Sequence, residues 1–223
     1  MHILIFLGSV RVSDPPYPPR LGARVAAACA AHMSRVDETT VNVIDPLNLE
    51  IPRPFKPHFS YRAGQAPVSL QDLADEIQRA DGYIMVSPEY NHAMSPALMD
   101  VLNHFGSSLF SYKPSAIVTY SSGQWGGARA AVGMRTFLSE LGCLPVSAMV
   151  HIPHAQDVLD EDGRYRGTAD PQGWSAYLER TCAQLRWWAN AAKAHRAAVG
   201  DLEHPPAFKV SPLQRDAPGS GRT

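Results

Sequence analysis

The chain has 223 residues, of which 45% are hydrophobic and 18% charged, with 20 Lys and Arg against 21 Asp and Glu for a formal charge of -1. That length fits one domain with appendages, the apolar share is enough for a sizeable core, and the residue mix excludes a disordered chain. The balanced charge and the lack of any run approaching the about 20 apolar residues of a membrane helix argue against nucleic acid or membrane as partners.

Cys29, Cys143 and Cys182 are far apart and form no C-x-x-C pair, so neither a disulfide framework nor a zinc knuckle is expected, and the compartment reads as reduced and cytoplasmic. The N-terminal apolar run, Ile3 to Leu7, has no basic segment before it and no small-residue cleavage site after it, which argues against a signal peptide.

In chain order, short apolar runs bounded by turn residues predict strands over 2–7, 40–45, 82–87, 115–121 and 145–152, each read as buried on both faces. Between the first two, Leu21, Val25, Ala28 and His32 or Met33 mark one face of a helix. Leu70, Leu73 and Ile77 mark a second. Ser95 and Pro96 then open a third, which carries Leu98, Val101, Leu102 and Phe105 on one side. A fourth spans about 127–140 before the terminating Gly142. The last, about 171–198, aligns Leu178, Cys182, Leu185 and Ala189 with Trp188 beside them, and Trp187 and Trp188 read as core or interface packing. Two stretches fall outside this scheme. Residues 46–69 form a long connection with Phe55, Phe59 and Tyr61, of a length usually functional or interface-forming, and the Pro- and Gly-rich residues 201–223 read as a disordered end.

The alternation predicts an α/β fold, a three-layer sandwich around a five-stranded parallel sheet, in which ligands bind outside the carboxyl ends of the strands. Three loops there stand out. After the first strand, Gly8-Ser9-Val10-Arg11 leads to a helix near Arg20, so backbone amides, a hydroxyl and a guanidinium form a cup for one phosphate. The patterns G-x-G-x-x-G and G-x-x-x-x-G-K-[ST] are absent, which argues against a dinucleotide pyrophosphate or nucleoside triphosphate there. After the third, Ser87-Pro88-Glu89-Tyr90-Asn91-His92 offers amides and an aromatic surface to a flat heterocycle. After the fourth, Ser121-Ser122-Gly123-Gln124-Trp125-Gly126-Gly127 places three glycines where backbone can approach a ligand. His151 and His154 are separated by Pro153, which breaks a helix, so no metal site is expected.

Together these strings, LGSVR with RLGARVA, SPEYNHAMSPALMDVLNHF, YSSGQWGGARAA and LRWWANAAKAHR, resemble the NAD(P)H-dependent FMN reductase family of flavodoxin-like proteins. The likeness covers about residues 1–198, which form the FMN-binding domain, with 199–223 as a tail. It implies non-covalent FMN, NADPH or NADH as electron donor, a small-molecule electron acceptor (flavin, quinone, azo compound or metal ion), a ping-pong mechanism and a homodimer or higher homo-oligomer. Carried over by position, Ser9 and Arg11 grip the FMN phosphate and Arg20, Leu21 and Gly22 close the cup. Pro88, Glu89, Tyr90 and Asn91 line the isoalloxazine and ribityl side, and Ser122, Gly123, Gly126 and Gly127 approach the ring from the other. The chain departs from the family in the extra residues 13–19, where Asp14 must point away from the phosphate. No catalytic side chain is required, since flavin N5 carries the chemistry; His92 reads as a surface or capping residue. A receiver-like domain is disfavoured, because Gly8-Ser9 and Pro88-Glu89 stand where it needs acidic residues. The alternative that remains is a flavodoxin-type electron carrier reduced by a partner protein, which the near-neutral charge disfavours.

Overall fold

The structure is a computed structural model, and it describes residues 1–12 and 16–200. The expectations for Asp14 and for the tail from 201 lie outside the described residues. In chain order the elements are β1 (His2–Leu7), α1 (Leu21–Met33), β2 (Thr40–Ile44), α2 (Val68–Arg79), β3 (Gly82–Tyr90), β4 (Ala93–Met94), α3 (Pro96–Asn103), α4 (Ser107–Phe110), β5 (Pro114–Tyr120), α5 (Ala128–Glu140), β6 (Leu144–Ile152), α6 (Ala155–Val158) and α7 (Pro171–Val199).

The main sheet is parallel with order β2-β1-β3-β5-β6, and β4 pairs antiparallel with the end of β3. Successive side chains of a strand point to opposite faces. In β1, Ile3, Ile5 and Leu7 accordingly join a core with Val25 and Cys29 of α1 and Cys182 and Leu185 of α7. Leu4 and Phe6 join a second core with Leu70 and Ile77 of α2, Leu98 of α3 and Met134 of α5. Both faces are thus covered, which is why β1, β3 and β5 read as unbroken apolar runs. The sheet order reverses direction between β1 and β3, and ligand crevices form at the carboxyl ends beside such a switch.

Four expectations need correction. The strands at 40–45 and 145–152 are not buried on both faces: β2 and β6 are the two sheet edges, β2 leaves Asn42 and Val43 exposed, and β6 leaves Leu144 and Ser147 exposed. The third strand does not end at Ser87 but runs to Tyr90, and Asn91 and His92 form a positive-φ turn into β4. Pro88 fits there because β1 stops pairing with β3 at Val86, so an N–H facing that side has no ladder to complete. The connection 46–69 holds two 3-10 turns, Pro46–Asn48 and His58–Ser60, and its last two residues belong to α2. Of the core or interface packing expected for Trp187 and Trp188, the core half does not hold, since they are 63% and 42% exposed; they meet edge to face with ring centroids 4.6 Å apart on the surface of α7. Among the described residues no helix is long and apolar enough to cross a membrane.

Candidate active site

At the carboxyl ends of β1, β3 and β5 lies a cavity of about 570 Å³ that brings together the first loop, the end of β3 and the start of the β5–α5 loop. The first loop is set by contacts that admit no side chain at Gly8. Its N–H donates to Val86 O at 2.7 Å, Ser95 Oγ donates to its carbonyl, and a Cβ would stand 2.8 Å from Val86 O. Ser95 also accepts from Leu98 N at 3.1 Å, so one serine caps α3 and anchors the loop. Ser9 follows, buried beside Gly22 and Tyr120, and burial pushes the ionisation of Tyr120 up. A Cβ at Gly22 would fall 2.4 Å from Tyr120 Oη and 2.9 Å from Ser9 Cβ, so the start of α1 closes tightly on this pair.

No side chain caps α1, and its amide bonds back to the Arg20 carbonyl begin at Ala23 N (2.9 Å) and Arg24 N (3.3 Å). The earlier amides of Leu21 and Gly22 are therefore the open donors of a helix N-terminus, which favours an anion. Arg11 is exposed on the cavity wall. Arg20 also lines it, but its guanidinium is ion-paired to Asp45, and its Nε is buried without a partner.

Pro88, Glu89 and Tyr90 all border the cavity. Glu89, expected among the ring contacts, is committed elsewhere: its carboxylate takes Arg129 Nε at 2.6 Å, Arg129 N at 3.2 Å and Ala130 N at 3.3 Å. Burial pushes this carboxyl up, but Arg129 and the α5 amides outweigh it and hold it below the usual carboxylate range. Asn91 and His92 are exposed in the turn and do not line the cavity.

On the β5 side, Ser121 and Ser122 line the cavity, and Ser121 Oγ donates to Gly123 O at 2.7 Å and accepts from Gly126 N at 3.0 Å. Gly126 and Gly127 have φ of 58° and 80°, and their missing side chains make room for the protein itself. A Cβ would stand 2.9 Å from Pro153 N in the first and 2.7 Å from Thr119 Cβ in the second. Neither glycine lines the cavity, nor does Gly123, which faces open space. Trp125 is exposed beneath the Arg129 guanidinium, 5.5 Å from its ring centroid.

Arg24 from α1, Tyr120 from β5 and Gln156 from α6, none of them named above as ligand contacts, also form the wall. Arg24 could have been noticed one helical turn after Arg20, whereas nothing near Gln156 in sequence points to the site. The donor set, a serine hydroxyl, open helix amides, guanidinium groups and an orphaned Arg20 Nε, suits a phosphate, and Gln156 and Ser122 suit a polyol. Gly22 does not line the cavity and makes room for Tyr120 and Ser9, while the exposed Tyr17 and Tyr90 on the wall suit a flat ring, so these residues fit FMN. Among the described residues no group of three or more His, Cys, Asp or Glu could hold a metal ion.

The family model for NADPH-dependent FMN reductase matches residues 1–157. Among relatives, an NADPH azoreductase from Bacillus sp. (strain OY1-2) is 32% identical over 99 residues, 43% of this chain and 56% of that protein. An NAD(P)H-dependent FMN reductase from Pseudomonas aeruginosa is 32% identical over 102 residues, 44% and 55% of the two chains. The chain thus spans about half the length of these relatives. A solved flavoenzyme NAD(P)H:(acceptor) oxidoreductase from Paracoccus denitrificans superposes with a TM-score of 0.64 at 17% identity, over 85% of this chain and 97% of that one, which shows the shared flavodoxin-like fold.

Proposed function

The chain belongs to the NADPH-dependent FMN reductase family, and from that membership we propose that it is an oxidoreductase whose FMN sits in the cavity above β1, β3 and β5. The observation that carries this reading is the cavity's charge. Arg11, Arg20 and Arg24 line it, while Glu89, its one lining carboxylate among the described residues, is turned onto Arg129 and α5. Such a wall favours a phosphomonoester at the α1 end and leaves a neutral ring to lie between Tyr90 and Ser122.

Bound there, FMN supplies the redox chemistry, taking two electrons from NADPH or NADH and returning them to a small acceptor such as a flavin, quinone, azo compound or metal ion. The chain's own work is to bind and orient. Ser9 and the α1 amides hold the phosphate end, Pro88 stiffens the strand end beneath the ring, and Tyr90 covers one edge while leaving a face open to the rim. No side chain is required to move a proton. An apolar groove of about 730 Å³ lined by Val10, Ile51, Phe55 and Met99 runs beside this rim, and a second copy packed there gives the homodimer that the family resemblance implies.

The test is to purify the full chain, record its visible spectrum, strip the cofactor and titrate it back with FMN and with riboflavin. Flavin absorption and a clear preference for FMN are expected. Equal affinity for the two ligands would remove the phosphate from the site and overturn the assignment.

A further inference from the structure

The arginines of the cavity differ in what already holds them. Arg20 is neutralised by Asp45. Arg11 is exposed, so water screens its charge. Arg24, in the first turn of α1, is 5% exposed and has no carboxylate among the described residues within ion-pair distance. Its Nε donates to Pro19 O at 2.9 Å and its Nη1 to Leu159 O at 3.3 Å. Two carbonyls use only part of a guanidinium's five donors. They fix its plane across the first loop and the segment after α6, and they do not cancel its charge. A buried cation without a counter-charge is strongly unfavourable unless something supplies one.

Gln156 stands on the same wall with the complementary deficit. Its Nε2 donates to Ser122 O at 3.2 Å and Asp157 Oδ2 at 3.3 Å, which orients the amide, and its Oε1 is buried with no partner. Among the described residues Arg24 therefore lacks an anion, and Gln156 Oε1 lacks a hydroxyl or N–H donor.

We propose that Arg24, rather than Arg11 or Arg20, is the residue by which this chain tells a phosphorylated flavin from its dephosphorylated form, with Gln156 accepting a hydroxyl of the polyol chain. This rests on the FMN reading above and deepens it. The buried guanidinium of Arg24 meets the phosphate from the desolvated wall, where charge is less screened, whereas Arg11 meets it in solvent. Arg24 already spans Pro19 and Leu159, so the ligand finds it in place.

The full chain freed of flavin is titrated with FMN, riboflavin and lumiflavin, which lacks the polyol, in wild type and in Arg24→Gln, Arg11→Gln and Gln156→Met. Arg24→Gln should cut the preference for FMN over riboflavin by about tenfold or more while leaving riboflavin affinity unchanged. Arg11→Gln should cut it less. Gln156→Met should weaken FMN and riboflavin alike by about fivefold and spare lumiflavin. Riboflavin serves as the control for damage to the fold, since a distorted cavity loses both ligands together. Should Arg24→Gln not fold, Arg24→Lys keeps the charge without the fork and should give an intermediate preference; a wild-type preference in that variant overturns the proposal. It is also overturned if Arg24→Gln loses FMN and riboflavin equally, or if Arg11→Gln has the larger effect. If Gln156→Met weakens lumiflavin as much as riboflavin, the polyol contact falls. If wild type itself shows no preference for FMN, the FMN reading fails and this proposal with it, whereas a wild-type preference untouched by Arg24→Gln sinks this proposal alone.

Discussion

Glu89 lies in the stretch with the densest run of motif residues, yet its carboxylate serves the scaffold by accepting from Arg129 and from the first amides of α5. It acts as a helix cap supplied from a neighbouring strand, at the positive end of the helix dipole. Glu89→Gln should therefore lower folding stability by about 1 to 2 kcal/mol at neutral pH in urea unfolding. The pH dependence has a definite sign. The folded carboxyl ionises below its unfolded value, so its contribution is complete above about pH 4.3 and is lost as pH falls through the lower folded value. The gap between wild type and variant should narrow in acid, and a gap that stays constant down to about pH 3 would show that charge has no part in it. The glycines of the β5–α5 loop divide in a similar way. Gly127 has φ of 80° and no room for a Cβ beside Thr119, so Gly127→Ala should cost about 1 to 3 kcal/mol of folding stability. Gly123 has open space and no positive φ, and Gly123→Ala should stay within about 0.5 kcal/mol of wild type by the same measurement. Equal losses at the two positions would contradict the packing account.

Between elements, the pairing of β5 with β6 contains an irregularity that the helices repair. Ser115 faces Pro145 while Ile117 faces Met149, so Val146, Ser147 and Ala148 stand opposite the single residue Ala116. A bulge of this kind strands backbone groups that must find other partners. Arg135 of α5 donates to Val146 O at 3.0 Å, and Gln184 of α7 accepts from Ala148 N at 3.0 Å and from Ser147 Oγ at 2.9 Å. β6 is also an outer edge, and Tyr177 Oη accepts from His151 N at 3.3 Å while Arg180 donates to Met149 O at 3.3 Å. Side chains of α7 thus occupy the positions where a foreign strand would add. Gln184→Leu should cost about 1 to 2 kcal/mol and speed amide exchange at Ala148 relative to Val118 in β5. Unchanged protection at Ala148 would count against the repair. None of this was legible in the sequence, because Gln184 and Ala148 are brought together only by the sheet order. What was legible were β1, β3 and β5, whose two buried faces leave continuous apolar runs, and α3, whose Ser95-Pro96 start is a local signal. The exposed edge at β2 was misread, since an apolar run does not say which strand has one neighbour, and β4, α4 and α6 are too short for periodicity to show. The same reason divides the site. Ser9, Pro88 and Ser122 could be placed from loops that follow strands, whereas Arg24 and Gln156 meet only because α1 and α6 end beside one another over the folded sheet.

On the scale of the whole molecule, the fold gathers its ligand-facing groups into one recess at one end of the sheet, with the phosphate end closed by Ser9, Tyr120 and the start of α1 and the opposite end open past Tyr90 and Ser122. A recess of about 570 Å³ is filled by one flavin-sized ligand, which leaves the rim as the approach for anything that exchanges electrons with it. The rim is bounded by Tyr90 and Tyr17 and by the loop that Ser121 clamps, and the function proposed above has it take a single flat partner at a time. Under that proposed function, electron donor and electron acceptor occupy the same place in turn, and the flavin holds the electrons between the two visits. Initial rates against NADPH at several fixed quinone concentrations should accordingly give parallel double-reciprocal lines, the pattern of a ping-pong enzyme. Rapid mixing with NADPH alone should bleach the flavin with no acceptor present. Lines that intersect would mean that both partners bind together, which the single rim does not allow. If both NADPH and NADH leave the flavin oxidised while a reductase partner protein reduces it readily, the open face is a docking surface for that partner, and the chain works as an electron carrier on the same fold.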